Sequence, residues 1–186
     1  ADGVYVSATG ELKTDTKSKL FEINTPKSQG FSGILEGRTV ELENIDFRSD
    51  NHFAAVILTA LDDEAIANSG HMLLTATARN RNTDQEFSND GTLMKKGGTA
   101  PILMEPVLGT LKLKTGANYK IWILNSSGER VREANVQNGA DGCCELVMSE
   151  DDNTMYYELK KTEDIKTEKS ANKPEWAIKR TFKRSD

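Results

Sequence analysis

Four scarcities narrow this sequence before any pattern in it is used. Aromatic residues make up 6% of its 186 positions, and it holds 4 prolines, 2 cysteines and 2 histidines. The cysteines, Cys143 and Cys144, are neighbours, and adjacent residues rarely meet disulfide geometry without strain. Two thiols cannot build a four-thiolate zinc site either, so two free thiols on opposite faces of a strand are expected. No run approaches the ~20 apolar residues of a membrane-spanning helix, so no membrane partner is expected. No basic, apolar leader opens the chain, and Ala1-Asp2-Gly3 stands where a Met would, as expected of a processed product or an excised module.

Catalytic signatures are scarce too. The sequence has no Gly-x-Ser-x-Gly, no His-Glu-x-x-His and no phosphate-binding glycine loop. His52 and His71 both fall at expected strand starts, where a structural role is the simpler one. A glycosidase needs two carboxylates about 5 Å or about 6.5–9.5 Å apart. The 29 acidic residues supply such pairs by chance, and nothing in their spacing singles one out. A stand-alone enzyme is not expected.

Charge, by contrast, is plentiful at 28%, with a net of −5 that is unevenly placed. Residues 160–186 carry nine Lys or Arg and five Asp or Glu, a net of +4, which leaves −9 for residues 1–159. Phosphate backbones bind basic faces, so an acidic body argues against nucleic acid as a partner. A chain of this length can bury about 70% of the surface it exposes when unfolded, so it needs no covalent staple.

The strongest pattern lies in residues 53–82, two apolar runs around an acidic, Gly-containing break, which predicts a β-hairpin. In the second run Met72, Leu74, Ala76 and Ala78 share one face and Leu73, Thr75, Thr77 and Arg79 the other. The first run is apolar or small on both faces, as for a strand covered on both sides. Such a hairpin should be the centre of a sheet. Before it, residues 10–16 and 20–23 predict a pair of short strands, and residues 24–33 are rich in turn formers, Gly30 and Gly33 among them. Residues 39–47 change phase midway, which marks either a β-bulge or two short strands. Residues 80–101 are polar and aperiodic, a long loop of the kind that faces ligands.

Alternation returns at Val107, Gly109, Leu111 and Leu113, and a TGAN turn leads to YKIWIL, so the two predict a hairpin followed by a strand over 131–136. Cys144–Met148 and a MYYEL strand with Met155, Tyr157 and Leu159 on one face complete the series. Short alternating strands between frequent turns predict an all-β antiparallel sandwich, jelly-roll-like or immunoglobulin-like, over residues 1–162. Residues 163–186 read as a charged tail or linker, with residues 174–182 able to form one further strand.

Several stretches together look like a known accessory domain. They are the Thr25-Pro26-Lys27-Ser28-Gln29-Gly30 turn and the strand Leu73-Leu74-Thr75-Ala76 running into Ala78-Arg79-Asn80. Gly98-Thr99-Ala100-Pro101 before Glu105-Pro106-Val107, Gly128-Glu129-Arg130-Val131 and Tyr156-Tyr157-Glu158-Leu159 also fit. Over about residues 10 to 162 the chain resembles the non-catalytic β-sandwich domain of large multidomain bacterial glycoside hydrolases. The resemblance implies a module of a secreted, periplasmic or cell-surface polysaccharide-degrading enzyme. Its partners would be a polysaccharide or oligosaccharide and the neighbouring catalytic domain, with packing on that domain alone as the alternative role.

Sugar-binding surfaces use aromatic planes, because a pyranose face is C–H and stacks on a ring, flanked by amides and guanidinium groups for the hydroxyls. Trp122, Tyr119, Trp176, Phe87 and Tyr156 are the aromatic candidates. Arg79, Asn80, Arg81 and Asn82, followed by Asp84, Gln85 and Glu86, are the polar ones. Trp122 is out of phase with Tyr119 and Ile121. The usual burial of Trp favours Trp122 in the core with Tyr119 outside, whereas the opposite parity makes Trp122 beside Lys120 a platform. A structural calcium would need oxygen ligands from among Asp46, Asp50, Asp62, Asp63, Asp151 and Asp152, none of which has EF-hand spacing.

Overall fold

The structure, a computed structural model, describes residues 3–139 and 142–162. The tail 163–186, with the strand expected over 174–182, lies outside the described residues. In chain order the strands are β1 (Val4–Val6), β2 (Leu12–Asp15), β3 (Leu20–Asn24), β4 (Ser28–Ile34), β5 (Thr39–Glu41) and β6 (Ile45–Ser49). Next come β7 (Phe53–Ala60), β8 (His71–Thr77), β9 (Asn80–Thr83), β10 (Glu86–Phe87), β11 (Met94–Lys96) and β12 (Thr99–Met104). The last are β13 (Gly109–Leu113), β14 (Tyr119–Leu124), β15 (Arg130–Glu133), β16 (Asn135–Asn138), β17 (Cys144–Met148) and β18 (Tyr156–Lys161). Among the described residues no helix is long and apolar enough to cross a membrane.

Nine strands form one antiparallel sheet in the order β1-β2-β3-β4-β7-β8-β18-β14-β15, and five form a second in the order β16-β17-β13-β6-β5. The remaining four pair as two ribbons, β9 with β12 and β10 with β11. A period of two gives each strand one apolar face, and these faces meet between the two sheets. Leu58, Leu74 and Leu159 from the large sheet and Phe47, Leu111 and Leu146 from the small one have no exposed surface and belong to one cluster. Phe31 of β4 and Phe47 of β6 join the layers directly, with ring centroids 5.2 Å apart. The fold is an all-β antiparallel sandwich, and β7 is its middle strand, as the hairpin pattern predicts.

Four details differ from the sequence reading, each for a physical reason, and one open alternative is decided. The outer side of β7 is open rather than covered, and Ile57 there is 37% exposed, because no third layer lies over the large sheet among the described residues. The turn-rich stretch 24–33 contains all of β4 but its last residue, and β4 pairs with β7 over its whole length. Its Gly30 serves close approach rather than positive φ: a Cβ there would run into the Val56 carbonyl and lie 2.8 Å from the Ile57 Cα. The phase change in 39–47 is two paired strands, β5 and β6, not a bulge. Residues 107–124 do not form a hairpin, since the TGAN turn carries the chain from β13 in the small sheet to β14 in the large one. The stretch 80–101 is not one loop but the two ribbons, whose residues are largely exposed on both faces and so show no alternation.

Gly30→Ala should therefore cost about 1–3 kcal/mol of stability in urea denaturation, the usual toll of overpacking. Gly97→Ala, where nothing lies within 4 Å of a new Cβ, should stay within about 0.5 kcal/mol of the parent. Equal effects at the two glycines would mean that β4 and β7 are not held this closely.

Candidate functional site

The parity of β14 decides the fate of two candidates. Ile121 and Ile123 point into the core, and Tyr119, two residues before Ile121, goes with them. Tyr119 is 1% exposed, and its hydroxyl donates to the Ser69 carbonyl at 2.8 Å, so its ring is not available for stacking. Trp122 takes the outer face, opposite to the parity that average burial favours. It is not a bare platform, however. The Arg130 guanidinium lies 3.9 Å from the indole ring and the Lys120 ammonium 5.7 Å away, a pair of cation–π contacts. Arg130 Nε is held in turn by Glu158 at 2.6 Å, and the other Glu158 oxygen lies 2.8 Å from His71 Nε2. Trp176 lies outside the described residues.

The polar candidates gather where β8 runs out of the sandwich. Ala78 is the last residue of its buried row, and Arg79 is the first outside it. Arg79 binds Glu105 through two nitrogens, Nε to Oε2 at 2.7 Å and Nη2 to Oε1 at 3.2 Å. The Glu105 backbone N–H donates to the Arg79 carbonyl at 2.8 Å, and Asn51 Nδ2 donates to Glu105 Oε1 at 3.3 Å. This clasp ties the start of β9 to the end of β12 and both to the small sheet. Asn82 is also structural: its amide donates to the Gly97 carbonyl at 2.8 Å and its backbone N–H to Gln85 Oε1 at 3.0 Å.

Asn80, Arg81 and Phe87 are left to face solvent, with the Arg81 guanidinium 5.8 Å from the centre of the Phe87 ring. Two shallow clefts flank this pair. One, of about 610 Å³, is lined by Phe53, Arg79, Asn80, Arg81, Phe87 and Asn89 among others. The other, of about 530 Å³, has Arg79, Arg81, Asn82, Asp84, Leu103 and Met104 in its wall. Arg79, Asn80 and Phe87 thus come together in one cleft, Asn82 lines its neighbour, and Trp122 lines neither. Sequence reading missed Phe53, Ser88 and Asn89 as wall residues. Phe53 sits beside the cleft only because the start of β7 lies near the end of β8, where Ala55 pairs with Thr77.

Other groups are committed elsewhere. Asp152 is 8% exposed and accepts from Arg132, from the Tyr157 hydroxyl at 2.9 Å and from the Ser149 backbone at 3.0 Å. Burial, then the charge of Asp152, pushes the Tyr157 hydroxyl pKa well up. Burial likewise pushes the Cys144 thiol up to about 11, and neither cysteine is in a disulfide. Three of the acids weighed for calcium already have partners: Asp46 pairs with Lys114, Asp62 accepts from the Gly70 and His71 backbone, and Asp152 is taken as above. Among the described residues no three His, Cys, Asp or Glu side chains converge.

The protein class defined by these observations is an all-β sandwich with an open, amide- and guanidinium-lined cleft at one end. No family model matches the chain, and no curated protein or solved structure matches it.

The clasp gives a pH prediction. Hydrogen bonds from Arg79 hold the Glu105 carboxyl below the usual range against the opposing effect of burial, and Asn51 adds to this. A depressed carboxylate contributes stability that is present above its unfolded value of about 4.3 and lost as pH falls through the folded value beneath it. Glu105→Gln should therefore lower the Tm at neutral pH and flatten its fall below about pH 5. A wild-type-like acid profile in the variant would show that the clasp does not hold the ribbon.

Proposed function

We propose that the chain is a non-catalytic carbohydrate-binding module of a polysaccharide-degrading enzyme, acting outside the cytoplasm beside a glycoside hydrolase catalytic domain. The observation that carries this reading is the setting of Phe87. Its side chain is 38% exposed in an open cleft, between Arg81 on one side and the Asn80 and Asn89 amides nearby. An exposed ring supplies the plane for the C–H face of a pyranose, and the amides and guanidinium supply donors and acceptors for its hydroxyls. A shallow groove suits the interior of a polymer, which could not enter an enclosed pit. The sequence resemblance to accessory domains of glycoside hydrolases supports the same reading, as does the acidic body, which is ill suited to nucleic acid.

One observation favours a second reading, in which the domain packs on the catalytic domain and binds no glycan itself. The ribbon strand β12 exposes Ile102 at 65% and Leu103 at 54%, and β11 exposes Met94 at 61%. Exposed apolar side chains in sequence on a ribbon are suited to protein contact.

Affinity electrophoresis separates the two, with gels containing β-glucans, xyloglucan, mannans, xylan, pectins or xanthan. Retardation by at least one polymer is expected, weakened by about tenfold or more in Phe87→Ala, equivalent to about 1.4 kcal/mol. Trp122→Ala should leave it in place. If no polymer retards the chain, the packing reading stands instead. Removing the domain from its enzyme would then lower thermal stability without changing adsorption to substrate.

A further inference from the structure

We propose that the cleft beside Phe87 selects acidic glycans, with the Arg81 guanidinium receiving the carboxylate of a uronic acid residue; this rests on the carbohydrate-binding reading above. Two arginines line both clefts, and they differ in what is left to them. Arg79 spends its fork on Glu105. Arg81 has no carboxylate within ion-pair reach among the described residues, although its side chain stands in the wall of both clefts. The Phe87 ring centre lies 5.8 Å from the guanidinium, a long cation–π contact that leaves the Arg81 N–H donors unoccupied. Its planar fork matches the two oxygens of a carboxylate.

The charges around it point the same way. Glu86, the carboxylate next to Phe87, lies 3.7 Å from Lys96. Asp90 is consumed in its own turn, accepting from the Ser88 hydroxyl and from the Thr92 hydroxyl at 2.8 Å and backbone at 3.2 Å. Asp84 lines only the other cleft, which places the incoming carboxylate on the Phe87 side. There Asn80 and Asn89 stand in the wall for the hydroxyls of the same sugar. The chain carries a net charge of −5, so attraction of a polyanion to the molecule as a whole does not account for such binding. Recognition has to be short-range.

The test uses the full chain in native gels containing polygalacturonate, alginate or glucuronoxylan, each run beside its carboxyl-reduced, neutral counterpart. At least one acidic polymer should retard the wild type about tenfold more strongly than its neutral form, in about 0.15 M salt, where long-range attraction is screened. Arg81→Gln should erase that preference, and Arg81→Lys, which keeps the charge but not the fork, should restore only part of it. Phe87→Ala should weaken binding to both forms. Thermal melting of each variant checks folding, which the exposed Arg81 is not expected to affect. Equal retardation by the acidic and neutral forms, unchanged in Arg81→Gln, would overturn the acidic preference and leave the binding module intact. Retardation by no polymer, acidic or neutral, would overturn both.

Discussion

Everything in this domain depends on one apolar layer shared by two sheets. Leu58, Leu74 and Leu159 meet Phe47, Leu111 and Leu146 there with no exposed surface, and the Phe31 ring packs at a tilt against Phe47 across the gap. Because side chains alternate strictly along a strand, fixing the inner row of each strand fixes the outer row as well. Tyr119 is drawn inside by Ile121 and Ile123, so Trp122 must stand outside. Ala78 closes the inner row of β8, so Arg79 is the first side chain free to grip Glu105. The site is thus placed by the core at one remove, through parity and then through one two-point ion pair.

That dependence explains how much was legible in the sequence. The central hairpin could be read because Met72, Leu74, Ala76 and Ala78 are buried one by one against the second sheet, which stamps a period of two on the sequence. β4 hid behind its glycines, which look like turn residues but sit where a neighbouring backbone leaves no room for a Cβ, that of β7 at Gly30 and that of Lys19 and Leu20 at Gly33. The sheet in which a strand lies was harder still. Residues 107–124 alternate like a hairpin, yet β13 and β14 belong to different sheets, and local pattern records parity and not partner. The ribbons of 80–104 carry little alternation because most of their residues are exposed on both sides.

The candidate site was legible in part for the same reasons. Polar residues at the end of a strand, Arg79, Asn80, Arg81 and Asn82, announced themselves by composition. Their division of labour did not. Arg79 and Asn82 hold the ribbon in place, while Arg81 and Asn80 are left facing outward, and only the positions of Glu105 and Gly97 reveal the difference. The aromatic candidates sorted likewise, with Tyr119 buried, Trp122 covered by Arg130, and Phe87 open beside the amides.

The most direct measurement of where ligand binds is an NMR titration of the isotope-labelled chain with a galacturonate oligosaccharide and, separately, a glucan oligosaccharide. Amide shifts confined to residues 78–91, larger for the acidic ligand, are the expected result. Shifts centred on Trp122 and its strand neighbours, or none at millimolar ligand, would contradict the assignment of the Phe87 cleft as the binding surface.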